Sequence, residues 1–295
     1  MTIYSVLRLL AVMVLWAACF PLITIGLDLA PHLAFAALRA ALAGLCLIAL
    51  GALCGRSIPV GGRSWILIVV VGLWATSMGF FGMFHAAEFV SPGLATVIAN
   101  VQPIIAAVLA HVFLGERLKA IGKIGLAVGL AGIAVIALPG LAADHIQGYS
   151  LGIAYVVLAA TGVSVGNVAI KRLTGQVDPV MAMGFQLLIG AVSLALLSMS
   201  TEDVSSLAWS MDFLFVLVAL SVLGSSLAFW LWFEALEQVS LNRANAFTFL
   251  VPIFGLMIGA AFFSERLEAV QIVGVVLVLS GILLVQRDAG SIVRR

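Results

Sequence analysis

The chain has 295 residues, 64% of them hydrophobic and only 9% charged, against roughly 25% charged in ordinary soluble domains. A surface so poor in charge cannot face water, so the sequence reads as a polytopic membrane protein. The net charge of +1 supplies neither a basic field for nucleic acid nor a basis for an acidic partner.

A bilayer core needs about 20 apolar residues per helix, and Gly, Pro and charged residues divide the chain into ten such stretches. The first, 5–27, carries Arg8 before its apolar run and has the look of a signal peptide. Trp16-Ala17-Ala18-Cys19 even faintly resembles a lipoprotein cleavage site. Trp stands where Leu is wanted, however, and cleavage would remove an opening helix, so this is read as a retained span. The next three stretches are 33–54, holding Arg39, then 64–87, and 91–114, which contains Pro103. The fifth, 120–138, presents Gly122, Gly125, Gly129 and Gly132 on one face, which suits close helix packing or a subunit contact. The second half supplies 148–170, 179–199, 212–234, 240–263 and 269–286. Connections are short and leave no room for a soluble domain. Cys19, Cys46 and Cys54 fall in apolar runs without metal-ligand spacing, and they need no disulfide.

A block of the first half recurs in the second at a constant offset of 149 residues. Val90-Ser91, Pro103, Phe113-Leu114-Gly115-Glu116-Arg117-Leu118, Gly125 and Gly132 are matched by Val239-Ser240, Pro252, Phe262-Phe263-Ser264-Glu265-Arg266-Leu267, Gly274 and Gly281. The match extends back through Ser77/Ser226 and Phe84/Phe233. The reading is an all-α fold of ten membrane helices in two five-helix repeats, residues 5–138 and 148–286. Two copies of one helical unit are the usual build of a secondary transporter, whose site lies between them.

Orientation follows from the loops. With the N-terminus in the cytoplasm, 12 of the 14 basic residues fall on the cytoplasmic side. The outer loops keep Arg266 and instead carry Asp28, Asp144, Glu202, Asp203 and Asp212. Both termini are then cytoplasmic, and with five helices per repeat the two copies insert in opposite senses. Inverted copies permit two mirror-related states that expose a midplane cavity to each side in turn.

The duplicated unit and the fourth-helix pattern Val90-Ser91-x-Gly93-x-Ala95 … Pro103-Ile104 … Phe113-Leu114-Gly115-Glu116-Arg117-Leu118 resemble the EamA branch of the drug/metabolite transporter superfamily. Trp16-x-x-x-Phe20 is similar to the family's opening motif, and the resemblance spans residues 5–286. General likeness is greatest to the YddG-type aromatic amino acid exporters. The resemblance implies an inner-membrane exporter of amino acids, aromatic or other large neutral ones, working by alternating access. Export of drugs, organic cations or other small metabolites is the alternative within the superfamily. It implies no cofactor, a small-molecule substrate, the lipid bilayer as surroundings, and a monomer or homodimer.

The candidate residues each carry a plainer reading. Pro103 and Pro252 remove a backbone bond near the centres of helices four and nine, giving either a packing kink or a hinge beside a cavity. Thr96 and Asn100 share a helical face with Pro103, as do Asn245 and Thr248 with Pro252; they line a cavity or bond neighbouring helices. Asn167 and Gln186 are single polar residues for which interhelical bonding competes with substrate contact. Arg39 is the clear intramembrane cation, able to hold a carboxylate or to snorkel to the interface. His85 ends helix three beside Glu88, and Glu234 and Glu237 end helix eight; for all of them solvated ends are the competing reading. Trp16, Phe20, Phe80, Phe84 and Trp230 are candidates for an apolar pocket, against simple lipid or helix contact. Glu116-Arg117 and Glu265-Arg266 read as structural turn residues.

An intramembrane enzyme is the rival class. There is no His-Glu-x-x-His motif, no Asp in the middle of a span, and the four histidines cannot readily cluster with a serine, so no catalytic or metal residues are assigned. A channel or sensor is the second rival, disfavoured by inverted duplication.

Overall fold

The structure, a computed structural model, describes residues 2–86, 88–89, 95, 98–141, 149–262 and 269–288, with side chains left undescribed at 20, 137–141, 149 and 259–262. In lipid every backbone N–H and C=O must be satisfied within its own segment, so apolar runs fold as helices. In chain order these are α1 (Ile3–Leu27), α2 (His32–Leu53), α3 (Gly62–Ala86), α4 (Gln102–Leu114), α5 (Ala120–Leu141), α6 (Tyr149–Leu173), α7 (Pro179–Thr201), α8 (Met211–Gln238), α9 (Leu241–Ala246 and Leu250–Phe262, joined by a 3₁₀ turn at Phe247–Phe249) and α10 (Ala269–Arg287). Among the described residues eight helices are long and apolar enough to cross a membrane. The other two apolar helices, α4 and the Ala120–Ile136 part of α5, are shorter. The span expected at 91–114 begins in residues outside the described set.

Helix ends are closed by side chains, as buried N–H groups require. Asp178 caps α7 through the N–H groups of Val180 and Met181 (3.0 and 3.1 Å), and Ser210 caps α8 through Phe213 (3.1 Å). The N-terminus of α2 follows Pro31 and borrows Glu202, whose carboxylate accepts from Leu33 and Ala34 (2.8 and 2.9 Å). Glu116, read from sequence as a turn residue, is buried and does more. It accepts from the N–H groups of Leu241 and Asn242 (2.8 and 3.1 Å), so the end of α4 caps the start of α9. Glu265 and Arg266 lie outside the described residues.

Equivalent helices of the two halves pack on each other. Gly125 of α5 abuts the Gly281 carbonyl of α10, and Gly132 abuts that of Gly274, so the pair runs antiparallel. The glycine face of α5 is therefore filled from within the chain, which overturns its reading as a subunit contact. In the α2–α7 pair Gly44 meets Leu188 and Gly51 meets Met181, again antiparallel. Both ends of the described chain meet at one end of the bundle: Ser5 Oγ donates to Gln238 (2.6 Å) and Arg243 to the Asp288 carbonyl (3.2 Å).

Two backbone irregularities recur at equivalent places. α3 and α8 each widen into a π-helical stretch, Gly72–Met78 and Leu220–Leu227. In each, a serine hydroxyl donates to the carbonyl five residues back: Ser77 to Gly72 (3.1 Å) and Ser226 to Ser221 (3.0 Å). Each hydroxyl also reaches a helix of the opposite half, Ser77 the Gly190 carbonyl (3.2 Å) and Ser226 that of Ala43 (2.9 Å). Such stretches concentrate at functional sites. The second irregularity is at the prolines. Pro103 lies in the first turn of α4 directly after the turn at Asn100–Val101, and Pro252 follows the 3₁₀ turn. The expected kinks are thus outright interruptions of the helix. Each proline withholds an N–H from the carbonyl four residues back, at Ala99 and Thr248.

Candidate functional site

Where α1, α2, α3, α6, α8 and α9 converge with residues 99–102, a cavity of about 160 Å³ opens. Ala99 and Thr248, whose carbonyls the two prolines deny the usual helical donor four residues on, both belong to its wall. Ala75 and Gly79 bring the first π stretch and its end to the wall, and Gly224 brings the second.

One wall is cationic. Arg39 of α2 is 5% exposed and crosses to the second half of the chain. Its Nε donates to Ser225 Oγ (2.9 Å), and Nη2 makes long contacts of 3.5 Å to the Gly224 carbonyl and Cys19 Sγ. The guanidinium lies over the Phe80 ring, 4.8 Å from its centre, an arrangement worth about 0.5–2 kcal/mol. No described carboxylate pairs with it: the described ion pairs are Arg8–Glu234, His32–Glu88 and Arg56–Asp178. Nη1 carries no hydrogen bond to a described residue. Gly224 leaves room for the Cys19 thiol beside Arg39: a Cβ there would stand 2.4 Å from Cys19 Sγ.

The other wall is made of amides, and one indole sets their polarity. Trp232 Nε1 can only donate, and it donates to Asn167 Oδ1 (2.9 Å). Asn167 must then turn Nδ2 to its other neighbour, Asn245 Oδ1 (3.3 Å), which also accepts from Gln102 Nε2 (3.2 Å). Asn245, 1% exposed, is left with its Nδ2 buried and unpartnered. An orphaned buried donor costs about 1–3 kcal/mol, so the cluster holds unsatisfied donor capacity.

Between these walls lies aromatic surface. Phe80 and Phe229 are equivalent residues of the two halves, and both line the cavity. Trp16 packs edge-on to Phe229 (6.4 Å between centres) and against Trp232 (5.4 Å).

Of the candidates named from sequence, the structure brings Trp16, Arg39, Phe80, Phe84, Asn100, Asn167 and Thr248 together on the cavity wall. Asn245 stands behind the wall, bonded to Asn167 and Gln102. Gln186 is fully buried between α7 and α3, where its Oε1 accepts from Thr76 (2.7 Å). Trp230 points elsewhere and donates to Glu234 (2.9 Å), which also pairs with Arg8 (2.6 Å). Glu234 is therefore an engaged, half-buried group where a solvated end was expected. His85 joins Phe81 and Tyr155 in an aromatic cluster away from the cavity. Thr96 and the side chain of Phe20 lie outside the described residues. Sequence reasoning missed Cys19, Gln102, Gly224, Ser225 and Phe229; the offset would have flagged Phe229 as the partner of Phe80. Among the described residues no three His, Cys, Asp or Glu side chains gather to hold a metal.

Paired membrane helices, broken beside a shared hollow that mixes one cation with amides and aromatic rings, define the transporter class. Comparison with known proteins agrees. The EamA-like transporter family model matches residues 3–138 and again 150–287, and the chain belongs to that family. It is 29% identical over 263 residues to a chloroplastic WAT1-related protein of Arabidopsis thaliana, covering 87% of this chain and 63% of that protein's length. It is 27% identical to the uncharacterized transporter YvbV of Bacillus subtilis, covering 95% of this chain and 91% of the relative. Protein PecM of Dickeya dadantii is 28% identical over 92% of this chain and 88% of its own. A solved crystal structure, 21% identical, superposes with a TM-score of 0.81 over 95% of each chain and shares the fold.

Proposed function

We propose that this protein is a secondary transporter of the cell's inner (plasma) membrane that exports amino acids and their relatives, aromatic or other large neutral ones, by alternating access. Its ten spans form two inverted five-helix repeats, residues 5–138 and 148–286, with both termini in the cytoplasm. The antiparallel packing of α5 on α10 and of α2 on α7 supports the inversion, as do the matched π stretches and helix breaks. The meeting of both chain ends at one end of the bundle supports the shared side of the termini.

One observation carries the substrate reading: the cavity joins a buried guanidinium, neutral amides and aromatic rings. Arg39 offers a fork to a carboxylate, and Phe80, Phe229 and Trp16 offer faces to an apolar side chain. That pairing suits the carboxylate and the ring of an aromatic amino acid or its relatives, and a buried cation disfavours organic cations. Pro103 and Pro252 act as hinges where α4 and α9 are broken. The described lining residues include no Asp or Glu, which supports a facilitator driven by the cargo's own gradient.

Counterflow in proteoliposomes tests the reading. Vesicles preloaded with phenylalanine are expected to accumulate labelled phenylalanine, whereas sugars, nucleotides and organic cations give no exchange. Flux is expected to be unchanged by an imposed pH gradient. Exchange of organic cations without amino acids would replace this reading with drug export.

A further inference from the structure

We propose that the cavity selects cargo bearing a net negative charge: an aromatic carboxylate whose amino group is absent or acylated, in preference to the zwitterion or an amine. The inference rests on the transport reading above and sharpens its substrate class.

Three observations converge on it. First, the wall holds a cation with no compensating carboxylate among the described residues, so their net contribution to the cavity is positive. A monoanion neutralises it. A zwitterion brings its own ammonium into the same low-dielectric space beside Arg39, where like charges repel and the ammonium loses its water. Second, the hydrogen-bonding groups are unbalanced toward donors. On the wall, Arg39 Nη1 has no described partner; directly behind it, Asn245 Nδ2 is buried and orphaned. Two amide acceptors are already engaged: Asn167 Oδ1 by Trp232, and Asn245 Oδ1 by Gln102 and Asn167. Thr248 Oγ1 directs its proton to the Asn245 carbonyl (2.7 Å). Because Trp232 cannot accept, the amides cannot flip to reverse this polarity. Third, the cavity of about 160 Å³ is close to the roughly 150 Å³ that admits a benzene ring. The cavity as a whole therefore has room for no more than one ring.

Selection of an anion also explains export. A membrane potential negative inside drives an anion outward, so the cargo leaves without proton coupling, whereas a zwitterion gains nothing from the potential.

The test uses compounds with one ring and different charges: 3-phenylpropanoate, N-acetylphenylalanine, phenylalanine and phenethylamine. In counterflow with the full-length protein, the two anions are expected to exchange at least tenfold faster than phenylalanine, and phenethylamine not at all. Arg39→Gln is expected to bring anion and zwitterion within about threefold of each other, and Arg39→Lys to recover part of the preference. Because Arg39→Gln can fail to fold, a second measurement uses the wild-type protein alone. Anion uptake should accelerate when the vesicle interior is made positive, while phenylalanine uptake should not. Phenylalanine exchanging as fast as the anions, or anion flux indifferent to potential, would overturn anion selection and leave amino acid export standing. Phenethylamine as the best cargo, or no exchange by any of the four, would overturn both.

Discussion

Thr76 and Ser225 occupy the same place in the two halves, 149 residues apart and each within a π stretch. Each hydroxyl is engaged by a polar side chain from the second helix of the opposite half. Thr76 donates to Gln186 of α7 (2.7 Å), and Ser225 accepts from Arg39 of α2 (2.9 Å). The backbone frame is thus repeated while the chemistry is not. On one side the pair is neutral and buried, and neither residue lines the cavity; on the other it is cationic, and Arg39 lines it. The repeated hydroxyl position is thus met from the opposite half by a neutral amide in one case and by a cation in the other.

Glycine placement offers the largest test of that division. Gly224 stands where the first half has Ala75, and the Gly224→Ala change makes the halves alike. The new methyl would stand 2.4 Å from Cys19 Sγ and in ordinary contact with Arg39 Nη2 and Leu220 Cδ2. The thiol, which is 3.5 Å from Nη2, has to turn aside, and the guanidinium it touches shifts with it. Misplacement of a binding group by about 1 Å can cost up to 10²-fold in rate. Cargo flux is expected to fall about 10- to 100-fold with little change in unfolding temperature. Gly72→Ala should do the reverse. Its methyl would lie 2.6 Å from the Gln186 backbone carbonyl, which cannot turn aside, and overpacking of this kind costs roughly 1–3 kcal/mol. Thermal unfolding in detergent reads that loss. A stable Gly72→Ala protein beside an unfolded Gly224→Ala one would reverse the assignment of roles.

Removing the two hydroxyls sharpens the contrast. Ser225→Ala leaves Arg39 Nε without its partner, and hydrogen bonds to charged groups are worth about 1.5–3 kcal/mol. Transport is expected to weaken about tenfold, through KM, because the guanidinium loses its orientation. Thr76→Val keeps the shape and removes a neutral bond between helices, of a kind that averages about 0.6 kcal/mol in membrane bundles. Its signature is a small loss of stability with flux within about twofold of wild type. Equal transport losses from both substitutions would show that the halves share the recognition task.

Much of this frame was legible in the chain. The spans follow from hydropathy because lipid leaves the backbone no alternative to helix. The offset of 149 residues announced the matched prolines, and a lone intramembrane arginine announced itself by its expense. The site's connectivity was not legible. Trp232 reaches Asn167 across 65 positions, and Asn167 reaches Asn245 across 78; only packing of α6 between α8 and α9 creates those contacts. The spacing rule that put Asn245 and Thr248 on one face assumed an unbroken α-helix. The 3₁₀ turn at Phe247–Phe249 has about 3.0 residues per turn in place of 3.6, which helps to leave Thr248 in the wall and Asn245 behind it. The π stretches escaped notice because the serine that marks each one looks, in sequence, like any small helix residue.

The smallest effect is the most pointed. Gln186 is fully buried, yet only its Oε1 is partnered; Nε2 has no hydrogen bond. Replacing it with leucine removes one neutral bond and one unsatisfied donor together, and these contributions oppose each other. Gln186→Leu is therefore expected to shift stability by less than about 1 kcal/mol. Combined with Thr76→Val it should be closer to neutral than Thr76→Val alone, since both partners are then apolar. A double-mutant cycle on unfolding temperature measures this directly, and flux should stay at the wild-type level throughout. If Gln186→Leu instead abolished transport while the protein remained folded, the neutral crossing would be as much a part of recognition as Arg39. The chemical asymmetry between the halves would then be a difference of charge alone.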